Sequence, residues 1–313
     1  GPPRPPGAVE PPAPPATPPP CAGFCWHRRT GLKDPAAMPR IERSIDAVQL
    51  DATWLNAYRR CVGLEAATAS GLPPLALQIA VAPLHLSILA DAQFPFKALG
   101  LVHVSQQVSQ MAAIAPDQRL TLRAYTTQAQ WARRGMTFGL VTEAWADGQL
   151  VWRGETTALA SGPSPLQATT SAKSAEAADQ SGHPWQQILA LDAPEPLGRR
   201  YAAIAGDLNP IHQHALLARP FGFRQAIIHG TWTLARALAA AQLPQTSPYT
   251  LNAQFRKPVS LPSSILVWSR KNDQQDEIKV TDKDGQTPHV TAQITREPTP
   301  HLYGRHPAVP SST

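Results

Sequence analysis

Gly230-Thr-Trp-Thr-Leu-Ala-Arg-Ala-Leu-Ala-Ala-Ala-Gln-Leu243 decides the fold. The stretch is apolar on almost every side, which is the pattern of a helix enclosed all round rather than one lying on a surface. Strand-like runs follow it at 249–259, 265–270, 278–282 and 290–295. Asp284-Gly285 separates the last two, as a hairpin turn requires. One enclosed helix followed by a run of antiparallel strands implies a curved sheet wrapped around that helix, an α+β arrangement.

The same order occurs earlier in the chain. Residues 75–90 are rich in Leu, Ala and Ile and predict a second buried helix. Strand-like runs follow at 101–108, 120–127, 138–146 and 149–158, with Asp147-Gly148 between the last two. Shared order and similar length predict a duplicated unit. The patterned blocks are 41–160 and 184–297. Between them, 161–183 is Ser/Ala/Thr-rich and nearly free of large apolar residues, so it reads as a linker.

The ends have a different composition. Eleven prolines in residues 1–20 predict an extended, unpacked segment, and 1–40 as a whole reads as a disordered extension. Met38 is a plausible start, which would put 1–37 outside the natural protein; the other reading is a Pro-rich docking tail. Residues 298–313 read as a loose tail. Neither a signal peptide nor a transit helix is evident in the Pro-rich stretch.

Several classes are set aside by composition. The chain has 313 residues, of which 42% are hydrophobic and 16% charged, enough for two packed units. No apolar run reaches the length of a membrane span. The net charge of +6 is concentrated at the ends. Five basic and two acidic residues in 1–40, and one basic residue in 301–313, leave 41–300 at +2. No basic stripe is interleaved with aromatics, so no nucleic-acid partner is expected. Cys21, Cys25 and Cys61 form neither a disulfide framework nor a structural zinc motif, and no metal is expected. The expected location is the cytoplasm.

The chemistry sits in Tyr201-Ala-Ala-Ile-Ala-Gly-Asp-Leu-Asn-Pro-Ile-His-Gln-His-Ala-Leu-Leu-Ala218. On one continuous helix Asp207 and His212 would lie roughly 140° apart and share no face. Asn209 is a preferred N-cap and Pro210 a preferred first helical residue. A loop over 206–209 and a short helix from Pro210 therefore let the two side chains converge. The positive end of that helix disfavours protonation of His212, leaving a neutral imidazole beside a carboxylate. Such a pair can hold a water and move protons near neutral pH. In addition, a Gly at the start of the buried helix leaves free N–H groups facing whatever binds there. The Gly230 N–H suits an oxygen that becomes an enolate; the other reading is a glycine needed only for close packing.

Tyr201 to Ala218 resembles the hydratase-2 signature of the MaoC-like (R)-specific enoyl-CoA hydratases, a hot-dog family. Gly206, Asp207, Asn209, Pro210, Ile211, His212 and Ala218 fit it. Ala205 departs, standing where the family usually has Ser, Thr, Gly or Cys. Phe221-Gly222-Phe223, His229-Gly230 and Phe255-Arg256-Lys257-Pro258-Val259 are also similar to the family's following block. The likeness is close over about 185–297, while 41–160 shares only the general hot-dog layout.

The resemblance implies a double hot-dog with a degenerate first repeat and a catalytic second one. It implies that Asp207 and His212 activate water, that Gly230 binds the thioester oxygen, and that Gly206, Asn209 and Pro210 fix the loop. His229, Phe223 and Arg256 become candidate substrate-binding residues, although His229 could equally just pack beside Gly230. The implied reaction is reversible hydration of a trans-2-enoyl thioester to the (R)-3-hydroxyacyl product. The acyl group would be carried by coenzyme A or a carrier protein, without metal or other cofactor, in a chain that could pair as a homodimer. The first block has no matching Asp/His pair, so one site per chain is expected, with room in the first block for a long acyl group. A thioesterase on the same fold and a non-catalytic acyl-binding subunit are the rival readings. His85 and His103 are expected to be packed, and His214 exposed. Arg199, Arg200, Arg219, Arg224, Arg256 and Lys257 are either solvated surface or contacts for coenzyme A phosphates.

Overall fold

The structure is a computed structural model, and it describes residues 31–64, 71–166, 183–243, 248–271 and 275–296. The first half runs β1 (Glu42–Val48), α1 (Ala52–Val62), α2 (Ala76–Ala80), α3 (Ala82–Ala90), β2 (Leu101–Gln110), β3 (Leu120–Thr126), β4 (Gln130–Ala132), β5 (Gly135–Ala146) and β6 (Gln149–Ser161). The second half runs β7 (Gln186–Ala193), α4 (Leu197–Ala205), α5 (Ala215–Ala218), α6 (Gly230–Ala240), β8 (Tyr249–Phe255), β9 (Ser263–Lys271), β10 (Gln275–Asp282) and β11 (Pro288–Thr295).

Among the described residues all strands belong to one antiparallel sheet, ordered β1-β3-β5-β6-β2-β8-β11-β10-β9-β7, with β4 on β5. The order is a palindrome of the duplicated unit: β1-β3-β5-β6-β2 corresponds to β7-β9-β10-β11-β8. The halves join where β2 pairs with β8, from Ser105 opposite Gln254 to Gln110 opposite Tyr249. This is the double hot-dog arrangement. Both Asp-Gly turns are hairpins. Asp147 and Gly148 have φ of 49° and 75°, the backbone a two-residue turn with the sheet's own twist needs. In the other hairpin, Asp282 Oδ1 accepts from the Gln286 and Thr287 amides.

α6 is the enclosed helix of the second half: Trp232, Leu234, Ala235, Ala237 and Leu238 are buried. It packs on β10, β11 and α1. Trp232 Nε1 donates to the Cys61 carbonyl of α1 at 3.0 Å, and Trp54 Nε1 of α1 donates to the Ile204 carbonyl of α4 at 2.9 Å. The larger of two apolar clusters among the described residues spans both halves, from Leu55, Tyr58 and Leu77 to Tyr201, Leu251 and Val280.

Three expectations are corrected. The stretch 75–90 is two helices rather than one, broken at Val81, with Pro83 near the start of α3. α2 is buried, but Leu86 of α3 is 53% exposed, so only the first part is enclosed. The edge strands β1 and β7 lie before each predicted run of strands. Finally, residues 31–40 are docked and not part of a disordered extension: Gly31 N donates to the Pro95 carbonyl, and Met38 is buried beside Ile41, Phe94 and Phe138. The rest of the expected N-terminal extension (1–30), most of the linker (167–182) and the C-terminal tail lie outside the described residues.

Candidate active site

α4 ends at Gly206, whose left-handed backbone (φ 69°) turns the chain out of the helix. Asp207 Oδ1 then accepts from the Asn209 amide at 3.1 Å, and Asn209 Oδ1 accepts from the Ile211 amide at 3.3 Å. Pro210–His212 follow as one 3-10 turn. This turn lies close on α4: a side chain at Gly198 would run into the His212 carbonyl. The loop and helix start expected from Asn209-Pro210 are therefore present, shortened to a single turn.

His212 Nδ1 lies 2.7 Å from the Ile227 carbonyl. A carbonyl only accepts, so Nδ1 carries the proton and Nε2 of the neutral ring is left bare. That nitrogen faces Asp207 Oδ2 at 3.9 Å. The distance is too long for a direct hydrogen bond and suits a water donating one hydrogen to each. His212 is 10% exposed at its side chain and Asp207 50%, so the carboxylate is at the mouth and the imidazole behind it. Burial lowers the His212 pKa, against the opposing pull of the Ile227 bond and the Asp207 charge. The neutral imidazole expected from the sequence is present, but its main cause is burial rather than the helix end.

His229 belongs to the same cluster. Its ring stacks on His212 with centroids 3.6 Å apart, and its Nε2 lies 3.6 Å from Asp207 Oδ2 and 3.2 Å from the Asp207 carbonyl. Its Nδ1 is buried without a hydrogen-bond partner. Burial and the adjacent His212 lower its pKa, so it too stands neutral. Tyr201 sets an edge against this ring at 5.0 Å and directs its hydroxyl to Thr231. Asp207, His212 and His229 each offer one ligand atom within 4.8 Å of the others. His229 Nε2 already donates to the Asp207 carbonyl, and the two rings lie nearly parallel, so their in-plane lone pairs do not converge on one point as a metal requires.

His229 is also the N-cap of α6, which places Gly230 at the first helical position with an N–H that has no partner inside the helix. A Cβ at Gly230 would lie 2.8 Å from Phe255 Cδ1. Phe255 in turn packs on His103 of β2, with ring centroids 4.4 Å apart. His103 is close enough to Asp207 to sense its charge, and burial pulls its pKa down to about 4. The first half thus supplies part of the site's wall, through a residue that the sequence marks only as packed. No local signal could have found it, because it arrives through the pairing of β2 with β8.

The other expected residues are placed as follows. Phe223 is half-buried, its amide closing a turn on the Ala218 carbonyl. Arg256 is exposed, directly after Phe255. His214 is exposed and caps α5 by accepting from the Leu216 amide. His85 is packed, with Nε2 2.7 Å from Thr142 Oγ1. Ala205 is buried in the last turn of α4.

Residues 178–293 match the family described as "MaoC like domain". A curated relative, 3-hydroxyacyl-thioester dehydratase X of Mycobacterium tuberculosis, is 28% identical over 260 residues, covering 82% of this chain and 90% of that protein. The crystal structure of HtdX from the same organism aligns with a TM-score of 0.69 at 25% identity, covering 81% of this chain and 99% of that one. A MaoC-like dehydratase from Phytophthora capsici aligns with a TM-score of 0.62 at 15% identity, over 83% of this chain and 96% of that one, a likeness of fold.

Proposed function

We propose, from the premise that this chain carries a MaoC-like dehydratase domain at residues 178–293, that it is a hydro-lyase acting on acyl thioesters. Its reaction is the reversible hydration of a trans-2-enoyl thioester to the (R)-3-hydroxyacyl thioester. The observation that carries this reading is the bare, buried Nε2 of His212 opposite the Asp207 carboxylate, 3.9 Å away, next to the start of α6. The similarity to a 3-hydroxyacyl-thioester dehydratase supports it.

In the hydration direction the water between the two groups gives a proton to His212 Nε2, while Asp207 Oδ2 holds its other hydrogen. The oxygen bonds to C3 as the C2=C3 π bond breaks, and the electron pair moves toward the thioester oxygen. The Gly230 N–H stabilises that charge. Return of a proton to C2 completes the addition of one water. Dehydration follows the same steps in reverse. His229, stacked behind His212, holds the Asp207 backbone and so positions the pair. Coenzyme A enters only as part of the substrate, and no metal or other cofactor takes part. The setting is the cytoplasm, and the chain pairs as a homodimer.

The test is loss of enoyl-thioester absorbance with crotonyl-CoA and trans-2-decenoyl-CoA. Asp207→Asn should lower the rate by about 10²–10⁴, and a chelator should leave the wild-type rate unchanged. Wild-type turnover that survives Asp207→Asn, or that vanishes with the chelator, refutes the mechanism. Thiol release from a saturated acyl-CoA in place of hydration would establish a thioesterase instead.

A further inference from the structure

The first half carries polar side chains on its enclosed face that the proposed reaction does not use. Gln106 of β2, Thr156 of β6 and Thr142 of β5 are buried there, and Gln78 of α2 and His85 of α3 meet them from the helices. The counterpart strands of the second half, β8, β11 and β10, instead contribute Leu251, Ala253, Ala292 and Ile278 to the apolar core. Polar groups in an enclosed place cost free energy unless they are bonded. Three of them bond one another. Gln106 Nε2 donates to Gln78 Oε1 at 3.2 Å, Gln78 Nε2 to Thr156 Oγ1 at 3.0 Å, and Thr156 Oγ1 to Gln106 Oε1 at 2.9 Å.

The two histidines beside this triangle are only half bonded. His103 Nε2 lies 3.1 Å from the Ser105 carbonyl, which only accepts, so Nε2 carries the proton and Nδ1 is an acceptor. His85 Nε2 is bonded to Thr142 Oγ1 at 2.7 Å, and its Nδ1 is the nitrogen left over. Among the described residues neither Nδ1 has a hydrogen-bond partner, and neither is sealed from solvent. Both rings keep part of their surface accessible, yet burial holds both pKa values near 4, and the two are close enough that charge on His103 opposes charge on His85. An accessible nitrogen on so dehydrated a ring faces a recess rather than open solvent. The recess lies toward the reacting groups: His103 packs on Phe255 and senses the Asp207 charge, and Phe255 lies against Gly230.

We propose that this recess receives a hydroxyl group on the substrate's acyl chain, which donates to His103 Nδ1 with His85 as a second partner, so that the site selects hydroxylated acyl thioesters over plain hydrocarbon ones. The proposal rests on the hydratase reading above and names the substrate class of that site. A hydroxyl fits because the bare Nδ1 of His103 accepts and cannot donate. A plain alkyl chain would leave both nitrogens unbonded and cut off from water, which costs affinity. The hydroxyl is distinct from the one formed at C3 and lies farther along the chain, since His103 stands on the far side of Phe255 from Gly230. His85 serves as a partner in either tautomer, because the Thr142 hydroxyl both donates and accepts.

The experiment moves one hydroxyl along trans-2-octenoyl-CoA, from C5 to the end of the chain, and compares kcat/KM with that of the unsubstituted thioester by loss of enoyl absorbance. We expect the hydroxyl at one position to raise kcat/KM about tenfold. His103→Phe keeps the bulk of the ring and removes the acceptor, and should bring that ratio to about one. His103→Asn retains an acceptor oxygen and should keep part of the preference, while His85→Phe should lower it about threefold. The ratio is the readout rather than either rate, because these substitutions also alter the wall. Calorimetry with the saturated hydroxyoctanoyl-CoA series against octanoyl-CoA reads the same preference without catalysis, again about tenfold. A ratio near one at every position, or a preference for the unsubstituted chain, overturns the proposal. So does a His103→Phe loss that falls equally on both substrates, which would assign the imidazole to the pantetheine arm they share. A preference that survives both phenylalanine substitutions overturns it as well. If no thioester is hydrated while a hydroxylated one still binds more tightly, the hydratase reading fails and the hydroxyl site stands.

Discussion

Gly230→Ala tests the wall of the site and its proposed oxyanion donor together. In a helix interior alanine is more stable than glycine by roughly 0.5–1 kcal/mol, and at the first helical position, where Gly230 stands, the gain is no larger. The backbone of Gly230 is not in the left-handed region, so nothing in the chain's own geometry opposes the change. The opposition comes from Phe255, whose Cδ1 and Cε1 would lie 2.8 and 2.9 Å from the new Cβ. Ordinary contact begins at 3.4 Å, so the ring must withdraw by 0.6 Å. It has His103 behind it at a centroid distance of 4.4 Å, and β8 is hydrogen-bonded to β2 and β11 on either side. Overpacking against neighbours held in that way costs about 1–3 kcal/mol, more than the helix gains. If α6 yields instead, the Gly230 N–H moves, and a displacement approaching 1 Å at a reacting centre costs on the order of 10²-fold. The expected result is a Tm lowered by a few degrees in circular dichroism, with kcat/KM on crotonyl-CoA down about 10- to 100-fold. Phe255→Leu, which removes the ring edge, should restore most of the lost stability in the double variant. A Gly230→Ala protein with wild-type Tm and rate would refute the packing argument. A double variant no more stable than the single one would show that the cost does not come from Phe255.

Three further outcomes follow from the structure. His212 acts as a base only when neutral, and burial lowers its pKa, so log kcat/KM should be level near pH 7 and fall on an acidic limb below pH 6.5; a limb above that value would contradict the buried imidazole. His85 and His103 are held near pKa 4 by burial, so the unfolded chain takes up protons around pH 6.5 before the folded one does. Stability should therefore be constant above pH 7 and drop as pH falls from 6.5 toward 4, by no more than about 3 kcal/mol for each imidazole, and urea titrations across that range read it directly. Finally, the proposed mechanism places its catalytic pair in the second half alone, which would leave the first half's share of the site free for the acyl tail. Trans-2-decenoyl-CoA should be turned over at least as well as crotonyl-CoA, and a strong preference for the four-carbon substrate in kcat/KM excludes that use of the first half.

How much of this was legible depends on the distance over which each signal acts. Interior strands were visible because alternate residues are buried, as in β3 and β11, and because Asp147-Gly148 and Asp284-Gly285 mark their turns. The edge strands were not, since β1 exposes Ser44 to Ala47 in succession and β7 opens with two exposed glutamines. A strand at the sheet edge with one neighbour has no apolar alternation to announce it. The break in 75–90 was hidden for the opposite reason. A run that is apolar on every side carries no phase, so the change of axis at Val81 leaves no trace in the pattern.

The site divides in the same way. Asp207, Asn209, Pro210 and His212 form a local device, in which capping and the conformational restriction of Asn before Pro suffice to predict convergence. His229 is brought in by a longer connection: the Ile227 amide donates to the Ile211 carbonyl, and the Ile227 carbonyl accepts from His212 Nδ1. That pair of bonds ties the segment before α6 to the 3-10 turn, and it is also what fixes the His212 tautomer. His103 depends on the joining of the two halves through β2 and β8, which no spacing within either half encodes. The duplication therefore does more than supply a second core. The second half folds the proposed acid-base pair locally, and the first half closes that site from the far side of Phe255 with a neutral, buried imidazole. On the proposed mechanism the reacting groups are local and the wall is contributed across the junction, so a change in the first half would alter the wall while leaving the Asp207/His212 geometry in place.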